Sequence, residues 1–476
     1  MKLIFVNSDF TFLSARKILW EKKFTVIGLS ICLILALRFI ASYAFRIQLG
    51  YTDTAGFLEL IDRRSLLHPL QGDYFRSARG VEALINTGPE QICSVIPYKN
   101  FGNPSFFGIH PYLIATLISL VSWILPFSTT YIAALVLSAS VFVGIGGIVV
   151  FLYRLKMRSI AIVFFSCSIL TYPVLAQSVG GQAYFDRLMF GPGILLCLLI
   201  WWSKNRSVVV WKWICLLGFL LALISERGAA LSALLLVGYL VLLHGHRVFI
   251  QKELRSILVV GIGIFVYFVI WITKWQSYSA YGGVNLLSMK IRLMNLFSDP
   301  LAPMSKIFLL TSIVFLVLSV FSGRGFVVLI VSMLSNLLIS TGGAELTGFP
   351  THYHQTYLPV IIAMAAIGLL RVENLIAFIP HRYVSIAAST ILGFGILLAA
   401  SMSATSQVYA NSFNQFYQQT KNIWIANGDV YQSWKSQAGL YREIGEYVAK
   451  LPGGTVSAPE GLMPSLFLAG VKDIEY

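Results

Sequence analysis

Asp53 is the residue most suited to chemistry in this chain, in the run Tyr51-Thr52-Asp53-Thr54-Ala55-Gly56 just past the first apolar stretch. A carboxylate fixed beyond a membrane helix can act as general base or hold a divalent cation, Mg or Mn, with its reach set by the helix end. The plainer reading is an N-cap, with Thr52 or Asp53 opening an interfacial helix. In the segment that follows, Leu58, Ile61 and Leu66 are expected to face the membrane, and Asp62 is expected to form a solvated pair. Gly108-Ile109-His110-Pro111-Tyr112 places a histidine at a water boundary, where it can contact a phosphate or serve as an amphipathic anchor. Tyr184-Phe185-Asp186-Arg187 and Ser225-Glu226-Arg227 set two acid–arginine pairs at the ends of apolar runs. Such pairs fit an anionic ligand held by arginine and oriented by carboxylates. They fit equally two structural ties, Asp186–Arg227 and Glu226–Arg187. Thr351-His352-Tyr353-His354-Gln355 reads as a polar, aromatic pocket lining rather than a zinc site, because no third ligand follows at a recognised spacing.

The elements that must position these residues are apolar runs of membrane length. The chain has 476 residues, 57% of them hydrophobic and only 12% charged, with a mean hydropathy of +0.77. A soluble domain carries about 25% charged residues. The net charge of +15 comes from basic residues that punctuate helix ends rather than forming a stripe. They read as topology signals and contacts to anionic lipid headgroups, and not as a nucleic-acid surface. Four of the five cysteines lie in apolar runs, so neither a disulfide framework nor a zinc spacing is present. Nucleotide-binding, serine hydrolase and zincin fingerprints are also absent.

The pattern predicts an all-α polytopic membrane protein of about eleven transmembrane helices. Residues 1–23 form a basic cytoplasmic segment, residues 24–404 the membrane domain and residues 405–476 a small external α/β appendage. The first span covers 24–44 and opens into outer loop one, 45–107. The run 110–125, bracketed by Pro111 and Pro126, is read as an interfacial helix. Later spans fall near 129–153, 159–177, 188–202, 208–225, 228–244, 256–273, 307–322, 325–341, 356–370 and 383–403. In this arrangement the inner side carries four acids (Asp9, Glu21, Glu253, Glu373) among seventeen Lys and Arg, while the other sixteen acids lie outside. That is the asymmetry of a positive-inside protein in the cell membrane, with the N-terminus cytoplasmic and the C-terminus external.

Several segments carry a family resemblance. These are TDTAGFLELIDR (Thr52–Arg63), FFGIHPYLIATLISLVSWILP (Phe106–Pro126), SERGAALSALLLVGYLVLL (Ser225–Leu243), THYHQTYLPVIIAMAAIGLLR (Thr351–Arg371) and REIGEYVAKLPGGTVSAPEGLMPSL (Arg442–Leu466). Over nearly the full length the chain resembles an uncharacterised prokaryotic family of polytopic membrane proteins related to the GT-C class of membrane glycosyltransferases. The resemblance implies transfer of a sugar from a polyprenyl-phosphate-linked donor to a lipid, glycan or protein acceptor on the outer face. It implies that Asp53 takes the position of the loop-one acid, base or metal ligand, and His110 that of the residue beside the donor phosphate. Glu226 matches the acid at an outer helix turn, and His352 and His354 match an aromatic-histidine motif. The chain departs from the pattern twice. Asp53 stands without a second acid where Asp-x-Asp or Glu-x-Asp is common, which leaves metal dependence open, and His-Pro-Tyr replaces His-Pro-Pro. Two other classes compete: a transporter or flippase for a lipid-linked or anionic solute, and a non-catalytic scaffold of envelope polysaccharide assembly.

Overall fold

The computed structural model describes residues 52–62, 112–172, 183–204, 210–275, 303–339, 355–402, 428–452, 456–458, 460–471 and 474–475, with the helical positions Ile40, Ala44 and Ile47. Helix formation follows the apolar runs, and polar or glycine-bearing turns end them. α1 (Thr52–Ile61) and α2 (Ile114–Ile124) are short. At 1.5 Å per residue α2 is about 17 Å long, far less than a hydrocarbon core of about 30 Å. α3 (Thr129–Arg154) is capped by Ser128, whose hydroxyl accepts from the Tyr131 N–H. It returns through α4 (Ser159–Thr171). A 3₁₀ turn, Phe185–Met189, then leads directly into α5 (Phe190–Ser203), followed by α6 (Val210–Ile224). α7 (Glu226–His244) contains a π-helical turn at Leu234–Tyr239. α8 (Lys252–Ile270), α9 (Pro303–Val320), α10 (Arg324–Ile339), α11 (Leu358–Ala377) and α12 (Arg382–Met402) complete the bundle.

Among the described residues, five helical stretches are long and apolar enough to cross a membrane: Thr129–Arg154, Phe185–Ser203, Glu226–His244, Lys252–Thr273 and Leu358–Ala377. In α11 every residue from Leu358 to Leu370 is buried. Around it the aliphatic core is continuous from α1 to α12. In lipid, helices gain little from hydrophobic contrast and associate through close packing and hydrogen bonds. Gly191 illustrates this: a Cβ there would run into the Ser140 carbonyl of α3. The Ser140 hydroxyl uses that closeness, donating to the Leu188 carbonyl at 2.8 Å and accepting from the Gly191 N–H at 3.0 Å.

The C-terminal residues form α13 (Gly428–Val448), β1 (Val456–Ser457), α14 (Met463–Leu468) and β2 (Ile474–Glu475). β1 and β2 pair in parallel, Val456 opposite Ile474. Met463, Leu466 and Ala458 make a small core of their own, while Phe467 and Leu468 also pack on the main one. The amphipathic helix expected from Tyr441 begins earlier, at Gly428. The expected membrane-facing side of α1 is overturned: Leu58 and Ile61 are fully buried in the protein core rather than facing lipid, because α1 packs among α2, α3 and α14. Leu66 and most of the first span, 24–44, lie outside the described residues.

Candidate functional site

The site grows from two tight turns at one end of the bundle. Ser225 is extended (φ −168°, ψ 173°) and caps α7, its hydroxyl accepting from the Gly228 N–H at 3.2 Å. Gly228 lies against the end of α6, and any Cβ there would meet the Leu221 carbonyl. The α6–α7 reversal is therefore fixed by a serine cap on one side and a glycine contact on the other. The same Ser225 hydroxyl donates to Asp186 Oδ1 at 2.5 Å, linking α7 to the 3₁₀ turn before α5. Arg227 Nη1 donates to the other carboxylate oxygen, Oδ2, also at 2.5 Å.

Asp186 is thus held from both sides while only 1% exposed. Arg187 and Glu226, one residue along in each turn, are also buried. Four charges of alternating sign share one level of the bundle, on two short segments that the hydrogen bonds lock together. Buried charge in a membrane protein is costly and usually faces a cavity or a partner. The Asp186–Arg227 tie foreseen from spacing is present, and it brings the other two charges to the same place.

α1 is joined to this cluster. Thr54 Oγ1 accepts from the Ala183 N–H at 3.2 Å, three residues before Asp186. Phe57 of α1 packs on Phe185, with ring centroids 4.5 Å apart. Asp53 therefore sits in the first helical turn, one residue from the anchoring Thr54. The Tyr112 ring also stacks on Phe185, at 4.6 Å, and Tyr112 Oη donates to Tyr184 Oη at 2.6 Å. The tyrosine that departs from His-Pro-Pro thus serves as a clamp on the segment leading to Asp186. His110, His352 and His354 lie outside the described residues.

Three interactions escape a reading by spacing. Ser225 was visible as the first residue of Ser-Glu-Arg, but its bond to Asp186 crosses 39 residues. Tyr112 and Tyr184 are 72 residues apart. Asp62, expected to be solvated, is buried, and its Oδ2 accepts from Thr129 Oγ1 at 3.0 Å. Its backbone carbonyl also accepts from Ser119 at 3.0 Å. Among the described residues, no group of three or more His, Cys, Asp or Glu side chains converges as a metal site.

No family model matches the sequence, and no curated protein matches it. The chain is similar to a solved structure, the crystal structure of ArnT from Cupriavidus metallidurans bound to undecaprenyl phosphate. The TM-score is 0.51 at 13% identity, covering 95% of this chain and 86% of that one. The likeness is one of fold, and it accords with the described helices long and apolar enough to make the chain a multi-pass membrane protein.

Proposed function

We propose that this protein is a membrane glycosyltransferase that moves a sugar from a polyprenyl-phosphate-linked donor to a lipid, glycan or protein acceptor at the outer face. The observation that carries the reading is the Thr54–Ala183 hydrogen bond, which joins the helix bearing Asp53 to the buried Asp186–Ser225–Arg227 cluster. A base and a set of arginines are then neighbours at one end of a bundle. The solved ArnT structure holds undecaprenyl phosphate, which supports a carrier of that chemistry here.

In this reading the donor's phosphate approaches Arg187 and Arg227, while Asp186 and Glu226 fix their orientation. A guanidinium suits this role because it stays charged and presents several donors in a plane. His110, His352 and His354 are the remaining donor- and acceptor-binding residues of the proposal. Asp53 removes the proton from the acceptor hydroxyl as that oxygen forms its bond to the anomeric carbon. The bond from that carbon to the phosphate oxygen breaks, and the carrier leaves as polyprenyl phosphate. A well-placed base contributes typically 10²–10⁴-fold. Asp53 has no second acid beside it, so the base role is preferred to a Mg or Mn ligand. The finer architecture belongs to the same proposal: about eleven crossings, α2 lying in the interface, the N-terminus cytoplasmic and the C-terminal elements external.

The test is mass spectrometry of lipid-linked and surface glycans from cells lacking the protein, complemented with wild type or Asp53→Asn. A missing sugar increment restored by wild type alone is the expected result, and its mass identifies the sugar. Restoration by both versions removes Asp53 from the chemistry. No change in any glycan on deletion overturns the transferase reading.

A further inference from the structure

Buried polar atoms in folded proteins are almost always hydrogen-bonded. Among the described residues, three neutral side-chain oxygens are buried without a hydrogen-bond partner: Tyr239 Oη, Tyr267 Oη and Gln355 Oε1. Tyr239 lies in the π-helical turn, well along α7. The other two lie at the Asp186 end. Gln355 closes the run Thr351–Gln355 and is 1% exposed. Its level follows from the packing of Pro359, one turn further on: a Cβ on Gly193 of α5 would meet both Pro359 and Leu231 of α7. The three helices run the same way, since the far ends of α7 and α11 are both tied to the α9–α10 turn, by Arg324 and Arg371. One turn back from Pro359, Gly193 and Leu231 come Gln355, Met189 and Arg227, so Gln355 is level with the charged turns. Tyr267 reaches the same level on another neighbour of α7. A Cβ on Gly261 of α8 would meet Leu236 and Val237, and from there α8 runs antiparallel to α7, toward Glu226. Further along α8, Tyr267 places its hydroxyl within electrostatic reach of that acid. The Glu226–Arg227 turn is thus flanked by a phenol and an amide whose oxygens the protein leaves unpaired.

An unmet buried acceptor disfavours the empty site and favours the filled one, so such atoms mark a face that a polar ligand completes. Which ligand follows from the groups left over. In the transferase reading, on which this inference rests, Arg187 and Arg227 hold the donor phosphate and Asp186 and Glu226 orient them. An ammonium on the sugar would call for a further carboxylate, and a uronate for a further arginine. A phenol and an amide call instead for hydroxyls. We infer that Tyr267 and Gln355 read the transferred sugar, and that this sugar is neutral and hydroxyl-bearing. Its ring hydroxyls donate to Tyr267 Oη and Gln355 Oε1, while the phosphate joined to it rests on the arginines. A sugar that lacks a hydroxyl at either contact leaves the buried oxygen unpaired and is rejected.

The test is binding to the purified full-length protein of undecaprenyl phosphate alone and of undecaprenyl phosphate carrying glucose, mannose, galactose, an amino sugar or a uronic acid. Wild type binds at least one neutral-sugar conjugate more tightly than the bare carrier and than either charged one. Tyr267→Phe and Gln355→Met each cut that advantage about tenfold, one hydrogen bond being lost, and leave the affinity for bare carrier unchanged. Neither variant lowers the ligand-free thermal midpoint, because the oxygen removed has no partner in the empty protein. Preference for a charged sugar, or for no sugar over the bare carrier, overturns the inference. So does an advantage that both variants keep, or an equal loss of bare-carrier binding, which marks a structural role. If deletion of the protein leaves every cellular glycan unchanged while the variants lose the advantage, the transferase reading fails and the sugar site stands. If deletion removes a glycan and the variants keep the advantage, the sugar site fails alone.

Discussion

The two ends of the helix bundle are built from the same parts and use them differently. At one end Asp186 takes Ser225 and Arg227; at the other Glu373 takes Ser389 and Arg158. Both acids are buried, at 1% and 4% exposure. The difference lies around them. Arg158 is 3.7 Å from Glu373, and its guanidinium also holds the Ser385 carbonyl at 2.7 Å and the Ser385 hydroxyl. It is a strap from the α3–α4 turn to α11 and α12. The neighbouring cations at that end serve helix ends in the same way. Arg324 donates to the Leu242 carbonyl at 2.7 Å, and Arg371 donates to the Phe321 carbonyl at 2.9 Å. The Asp186 end instead gathers Arg187 and Glu226 into the same buried turns, beside the helix that carries Asp53. An acid–arginine–serine set by itself is therefore structural, and the surplus of buried charge is what distinguishes a site.

Substitutions sharpen this contrast, beginning with the largest effect. Asp53→Asn lowers transfer by about 10²–10⁴-fold with the fold retained, as read by glycan product and by gel filtration. Asp186→Ala takes the shared acceptor from the half-buried Arg227 and the buried Ser225 and costs about 3–5 kcal/mol for the two bonds lost, seen as a large fall in thermal midpoint with loss of activity. Arg158→Ala removes a half-buried strap and costs about 1–3 kcal/mol. Transfer per folded molecule stays at the wild-type level, and a selective loss of transfer would erase the contrast between the ends. Tyr112→Phe deletes one hydrogen bond to Tyr184 and keeps the stacking on Phe185, for a cost of about 0.5–1.5 kcal/mol in thermal or denaturant unfolding.

How much of this was legible in the sequence depends on the range of the interaction. Helix positions follow from apolar runs punctuated by charge, proline and glycine, so the reversals at Arg154–Arg158 and Ser225–Gly228 fall where spacing put them. The acid–arginine pairs were also visible, because ionisable residues at the ends of apolar runs stand out. Burial was less legible. Leu58 and Ile61 have the composition of lipid-facing residues, and only the packing of α1 among other helices decides otherwise. Asp62 sits among charges that look solvated, and its partner Thr129 is 67 residues away. Tyr112 read as a departure from a motif, whereas its hydroxyl gives the clamp on Tyr184. The polar, amide-rich residues before Tyr441 hid the first half of α13, whose apolar face is too sparse to show a period.

The most direct measurement of the account is the thermal shift produced by undecaprenyl phosphate on the purified protein and two variants, each scored against its own ligand-free midpoint. At a ligand concentration about 100 times the dissociation constant, binding stabilises by about 2.7 kcal/mol. Wild type and Arg158→Ala should shift equally, because the strap does not touch the ligand, while Arg187→Gln should lose most of its shift. Equal shifts in all three proteins would contradict the assignment of the carrier phosphate to the Asp186 end.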